Sequence, residues 1–172
     1  MVDSISFRLL AEPDLPLLHQ WQNQPHMFPY YQKKPISLKE ITAYYMPRIL
    51  GQQKTYSHIA FLDAKPFGYI QCYKNMDDPE YAARKSLTDG LGIDLYIGET
   101  SLLGKGFGQK MLQQYLKNVV FKIFPEETKC YIWHNLNNIA GLKCSKAAGF
   151  KFVMPVAEEK DGLMGELLLY EK

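Results

Sequence analysis

Apolar positions alternate from Ser6 to Leu10 and then change period, because Leu15, Leu18 and Trp21 recur at helical spacing behind Glu12, Pro13 and Asp14, which supply helix-start chemistry. A strand and then a helix open the chain. Three prolines and three aromatics between Gln24 and Pro35 exclude one regular element and leave a structured loop. Ser37 followed three residues on by Glu40 is a capping box, and the helix it starts carries Ile41, Tyr44, Tyr45, Ile49 and Leu50 before ending near Gly51. Ser57 to Leu62 and Pro66 to Lys74 are β-like runs joined by Asp63-Ala64-Lys65, which predicts a hairpin. Asn75 to Asp89 reads as a loop or short helix with local acidity from Asp77, Asp78 and Glu80.

The second half repeats the alternation of periods. Leu91 to Ile97 predicts a strand, and the helix that follows the glycines carries Phe107, Met111, Leu112, Tyr115, Leu116, Val119 and Val120 on its core face. Lys129 to Trp133 reads as a strand and Asn138 to Ala148 as a helix, which Gly149 ends in the left-handed position before Phe150 starts another strand. Leu163 to Tyr170 supplies the last one. The order β-α-α-β-β-β-α-β-α-β-β predicts a mixed α/β (α+β) sandwich, one domain over residues 1–172.

Composition narrows the function classes. The 172 residues are 47% hydrophobic and 22% charged, ordinary for a folded globular chain, and the net charge of +2 without a basic run gives no nucleic-acid footprint. Cys72, Cys130 and Cys144 are odd in number and lack metal or disulfide spacing, so reduced thiols in the cytoplasm and no metal are expected. The start Met-Val-Asp-Ser-Ile-Ser-Phe-Arg is not a signal peptide, and no stretch is apolar for long enough to span a bilayer, so no membrane partner is expected. His19, His58 and His134 have no ligand spacing.

Candidate chemistry gathers where the strand Leu91 to Ile97 gives way to a helix through Leu103-Gly104-Lys105-Gly106-Phe107-Gly108. Amides uncovered by glycine at a helix start, the positive end of its dipole, make an anion site suited to a phosphate or pyrophosphate. A Walker A loop is excluded, since Gly106 follows Lys105 where Ser or Thr is needed. A dinucleotide fingerprint is excluded by the Gly-x-Gly-x-Gly spacing past mid-chain. Ten residues before the first glycine, Asp94 interrupts an apolar strand, where β propensity disfavours it and burial without a partner is costly. It is either a carboxylate with a task or an aspartate on a solvent face.

These residues resemble the GCN5-related N-acetyltransferase (GNAT) family. The element order matches, the glycine turn stands where that family binds acetyl-coenzyme A, and Asn138-x-x-Gly141-x-x-x-Ser145-x-Ala147-x-Gly149-Phe150 is similar to the family's Asn-x-x-Ala-x-x-x-Tyr-x-Lys-x-Gly-Phe box. Within the family the likeness is nearest to the aminoglycoside N(6')-acetyltransferases. It is carried by Trp21-x-Asn23-x-x-His26, Tyr45-Met46-Pro47, Pro66-x-Gly68-Tyr69-x-Gln71-x-Tyr73, Gly92-Ile93-Asp94, Leu103 to Gly108 and Lys143-Cys144.

The resemblance implies a mixed, mostly antiparallel sheet of about seven strands, helices on both faces, and a splayed strand pair that receives acetyl-coenzyme A as co-substrate. It implies acetyl transfer to a primary amine by direct attack on the thioester, with the 6'-amine of an aminoglycoside as the favoured acceptor. Leu103, Gly104, Lys105, Gly106, Phe107 and Gly108 would take the pyrophosphate, with Tyr96, Ile97, Asn138 and Lys143 along the rest of the donor. Asp94 would receive the amine. Ser145 stands where the family has a tyrosine that protonates the thiolate, and a serine hydroxyl is shorter and less acidic. Trp21, His26, Gln71, Tyr73, Asp77, Asp78 and Asp89 would surround the acceptor, although Trp21 also reads as core, His26 as a backbone-bound loop residue and Asn138 as a helix cap. Transfer to a siderophore or polyamine amine, and a non-catalytic acyl-coenzyme A sensor, are the alternatives. Monomer and homodimer are both compatible with the chain.

Overall fold

The computed structural model describes residues 4–31, 33–158 and 163–172. The first half contains β1 (Ile5–Leu9), α1 (Leu15–Gln22), α2 (Leu38–Ile49), β2 (Thr55–Leu62), β3 (Lys65–Lys74), α3 (Pro79–Arg84) and β4 (Leu91–Ile97). The second contains α4 (Phe107–Tyr115), α5 (Phe121–Ile123), β5 (Lys129–Asn135), α6 (Ile139–Ala147), β6 (Lys151–Glu158) and β7 (Leu163–Glu171). Among the described residues the seven strands form one sheet in the order β1-β2-β3-β4-β5-β7-β6. Only the β4–β5 pair is parallel.

Local chemistry accounts for the boundaries. Ser37 Oγ accepts from the Glu40 amide while Glu40 Oε2 accepts from the Ser37 amide, closing the capping box that starts α2. The β2–β3 hairpin turns on Asp63 and Ala64, both left-handed at φ 46° and 66°, the backbone that matches the twist of its flanking strands. The predicted single helix from Phe107 to Val120 instead changes at Leu116–Val120 to a π-helical stretch, which still buries Leu116 and Val120. Between Gln24 and Pro35 the chain forms a short 3₁₀ turn, Pro25–Met27, followed by turns; Gln32 lies outside the described residues.

Alternation gives the sheet two faces. Ile70, Cys72, Leu91, Ile93, Cys130, Ile132 and Leu168 pack under α4 and α6 with Met111, Leu112, Tyr115 and Leu142. On the opposite face Ile59, Tyr69 and Tyr96 pack under α1 and α2 with Leu18, Trp21, Ile41 and Tyr45. Asp94 points to this second face, because it is two residues from Tyr96 on the same strand and sits opposite Gln71 in the β3–β4 register.

The β4–β5 seam positions the site. It holds only two ladder pairs, Leu91 with Cys130 and Gly92 with Tyr131, although β4 continues to Ile97 and β5 to Asn135. Past Gly92 the two strands part, and β4 is left without a ladder partner on its β5 side.

Candidate active site

On the β3 side of β4, the Asn75 amide donates to Gly90 O and the Gly98 amide donates to Phe67 O. Because backbone groups alternate in direction along a strand, the even-numbered residues of β4 face β3, and Ile93, Leu95 and Ile97 turn theirs toward the gap. Ile97 O confirms this direction, since it meets His26 Nε2 at 2.8 Å from outside the sheet. Tyr96 was expected to offer its amide to the donor; it turns that amide to Tyr69 of β3, and its ring is buried in stacked contact with Tyr69. Leu95, which sequence reasoning passed over, takes its place beside Ile97.

The glycine turn follows directly. Gly104 and Gly106 have φ of 70° and 81°, a region costly for residues with a Cβ, and Gly106 is the N-cap of α4 with no side chain capping the helix. The first amides of α4 are therefore left without a capping side chain, an arrangement suited to an external anion. Leu103 and Lys105 are exposed and Phe107 is half-buried, its ring edge-on to Phe67. At the end of β4, Gly98 has a different necessity: a Cβ there would lie 2.0 Å from the Trp21 indole. Trp21 is 1% exposed and donates through Nε1 to Glu99 Oε1. It anchors the strand end and is not an acceptor wall, because its indole is spent on packing.

The carboxylate of Asp94 ends a directed hydrogen-bond chain. Tyr69 OH donates to Gln71 Oε1 at 2.6 Å, so Ser57 Oγ, 2.8 Å from the same hydroxyl, is the donor there. That fixes the Gln71 amide, whose Nε2 donates to Asp94 Oδ2 at 2.8 Å. Burial pushes the Asp94 carboxyl above its ordinary range, against the pull of hydrogen bonds from Gln71 and Tyr73 and of the Arg48 and Lys85 charges. A carboxylate held at a raised value is a better proton acceptor than a solvated one.

Asp94 opens on a cavity of about 860 Å³, lined by Gln71, Tyr73 and Tyr81 on one side, Tyr44 and Arg48 of α2 on another, and Asp77, Asp78 and Glu80 at the rim. Asp78 also caps α3 through Oδ1 to the Tyr81 amide, and Asp77 faces Lys54 at 3.8 Å. Asp89 is not at this rim. Lys129 Nζ and Tyr131 OH bind its two oxygens at 2.8 and 3.0 Å, pinning it to the start of β5 and holding its carboxyl below the usual range.

His26 lies at the mouth of the β4–β5 gap rather than in the cavity, and Tyr30 of the same loop donates to Asn137 O beyond β5. Asn138 Oδ1 is used as the cap of α6, accepting from the Gly141 amide, and Lys143 is exposed on that helix. Ser145 has no exposed surface and its Oγ is 2.7 Å from His134 Nε2. Burial drops His134 to about 4, so the imidazole is neutral near pH 7. A hydroxyl enclosed this way is part of the α6–β5 packing, at the position where the resemblance places the family's thiolate-protonating tyrosine.

Arg48, Tyr44 and Tyr81 were missed as cavity residues. An arginine in the last turn of an amphipathic helix reads as a partner of the helix dipole, and nothing local reports what lies across from it. Among the described residues no group of three His, Cys, Asp or Glu is placed to hold a metal, and no helix is long and apolar enough to cross a membrane.

An opened strand leading through an uncapped glycine turn into a helix, with a half-buried carboxylate on the strand's other face, defines the class: the chain belongs to the acetyltransferase (GNAT) domain family, which it matches over residues 11–157. Aminoglycoside N(6')-acetyltransferase type 1 of Klebsiella pneumoniae is 31% identical over 153 residues, covering 87% of this chain and 75% of that protein. N-hydroxyputrescine acetyltransferase of Acinetobacter baumannii is 28% identical over 116 residues, covering 67% of this chain and 52% of that protein. The fold superposes on aminoglycoside acetyltransferase AAC(6')-Ib in complex with coenzyme A and kanamycin with a TM-score of 0.86 at 26% identity, over 98% of this chain and 95% of that one. A structure of AAC(6')-Ib with acetyl-coenzyme A gives 0.87 at 26% identity, over 99% and 94%.

Proposed function

We propose that this chain is a cytoplasmic N-acetyltransferase that moves the acetyl group of acetyl-coenzyme A to a primary amine, with the 6'-amine of an aminoglycoside as acceptor. The carrying observation is the meeting of two differently built surfaces on β4: gap-facing amides at Leu95 and Ile97 continuous with the glycine turn, and Asp94 opening on a large polar cavity. Acetyl-coenzyme A supplies a thioester whose carbonyl carbon an amine attacks. Support for the acceptor comes from the Klebsiella relative and from the AAC(6')-Ib complex with kanamycin.

The residues divide the work. The α4 amides bind pyrophosphate oxygens, and Gly104 and Gly106 let the backbone approach them. The free amides of β4 align the acyl arm and offer hydrogen bonds to its carbonyl oxygen. Asp94 anchors the incoming ammonium and takes its proton, directly or through water, while the chain Ser57–Tyr69–Gln71 holds the carboxylate in one orientation. Tyr73, Tyr44 and the acidic rim suit a polycationic sugar. With Ser145 enclosed, the departing thiolate takes its proton from solvent.

A thiol-release assay with acetyl-coenzyme A against a panel of aminoglycosides, polyamines and hydroxylamines tests this. Turnover confined to aminoglycosides is expected. Turnover of polyamines or hydroxylamines alone would overturn the acceptor, and tight coenzyme binding without any turnover would mark a sensor instead.

A further inference from the structure

Arg48 is the cavity residue that the reaction above leaves without a task. Its guanidinium lies 3.9 Å from the Tyr44 ring centre and 5.4 Å from that of Tyr45, which fixes its plane. Its Nε and Nη1 are shut off from solvent and have no hydrogen-bond partner among the described residues. Buried donors left unpaired are costly, and an arginine is always charged, so it cannot relieve the cost by losing a proton. Asp94 is close enough for the Arg48 charge to act on it, yet no ion pair joins them. Both line the same cavity.

The geometry points to Arg48 as a specificity-determining residue that donates hydrogen bonds to an oxygen of the acceptor, so that the cavity selects amines that also carry an accepting oxygen over plain aliphatic amines. The inference rests on the acetyltransferase reading and deepens it by naming the acceptor's second feature. One end of the acceptor presents nitrogen to Asp94, the other presents oxygen to Arg48. A site built to donate to a substrate oxygen rejects the analogue lacking it, because its own donors then stay unpaired. A polyamine would bring only a second positive charge to the guanidinium. The oxygen can be a neutral sugar hydroxyl or ether, or a carboxylate.

Wild type, Arg48→Gln and Arg48→Ala are compared with kanamycin, 6-aminohexanoate and cadaverine as acceptors, with calorimetric binding in the presence of coenzyme A wherever turnover is absent. We expect Arg48→Ala to lower kcat/KM, or the calorimetric affinity where there is no turnover, for the oxygen-bearing acceptors by about tenfold or more, mainly through KM, and to leave cadaverine unchanged or improved. Arg48→Gln keeps neutral donors, so it should largely restore kanamycin if the oxygen is a hydroxyl, and fail with 6-aminohexanoate if it is a carboxylate. Equal losses on all three acceptors in both variants, matched by a lowered Tm, would make Arg48 structural and overturn the inference; so would no loss, or a gain, with the oxygen-bearing acceptors. If wild type uses 6-aminohexanoate but no aminoglycoside, the aminoglycoside reading fails while the Arg48 comparison still decides this one.

Discussion

The two sides of β4 are made of different materials. Toward β5 the site is backbone: gap-facing amides, two left-handed glycines and an uncapped helix start. Toward α2 it is side chain, with Asp94, Gln71, Tyr73, Arg48 and Tyr44 brought together from three elements far apart in the chain. Backbone recognition tolerates sequence change wherever the conformation survives, whereas side-chain recognition changes with each substitution. A family built this way keeps one donor and varies its acceptors.

The largest expected separation of the two sides comes from Asp94→Asn. It should lower kcat/KM by about 10²–10⁴, the range for removing a general base, while calorimetric affinity for coenzyme A is unchanged. Loss of both would show that the sides are not separable. Gly106→Val is the mirror experiment: a β-branched residue at φ 81° is strained by about 1–2 kcal/mol, which should raise the donor KM roughly tenfold with the acceptor KM unaltered.

Ser145→Ala tests a group that belongs to neither side. It leaves His134 Nε2 without its partner and should destabilise the fold by about 1–3 kcal/mol in denaturant titration. A large drop in kcat with unchanged stability would return Ser145 to the chemistry. Ser145→Tyr should lower stability further, since the serine has no exposed surface into which a larger side chain could turn.

The smallest effect is in the pH dependence of stability, and its sign differs by residue. His58 and His134 are held down to about 4, below the 6.5 of an ordinary imidazole, so their contribution is present above pH 6.5 and lost as pH falls toward 4. Asp94 is raised, so its contribution is present below about 3.8 and lost as pH rises through its folded value. Wild-type Tm should therefore fall on acidification from 6.5 toward 4. Asp94→Asn should melt above wild type at pH 7, with the gap closing in acid; a variant no more stable at pH 7 would show that Asp94 ionisation carries no cost.

What was legible in the sequence follows the same division. The glycine turn could be read because left-handed φ at Gly104 and Gly106 is a local demand, and the Ser37–Glu40 box because capping spans a single turn. Asp94 stood out as a charge in an apolar strand. Asp89 resembled Asp77 and Asp78 in sequence, and only the β5 register brought Lys129 and Tyr131 to it. The role of Trp21 depended on how closely Gly98 lets β4 approach, and that of Ser145 on His134 across the α6–β5 packing. Arg48 was hidden most deeply, because helical periodicity assigns a face but not the residues facing it.

An unpaired strand edge is what β proteins usually protect against, since it can template pairing with another chain. In this protein the edge lies inside the sheet, between strands of the same chain, and the loop carrying His26 and Tyr30 ties its two margins together through Ile97 O and Asn137 O. It is thereby withheld from self-association while remaining open to a slender ligand. Filling it gives those amides the partners that β5 withholds, so the donor is also a structural ligand: the fold should gain RT ln(1 + [L]/Kd) of stability from its own co-substrate, read as a rise in Tm with added coenzyme A.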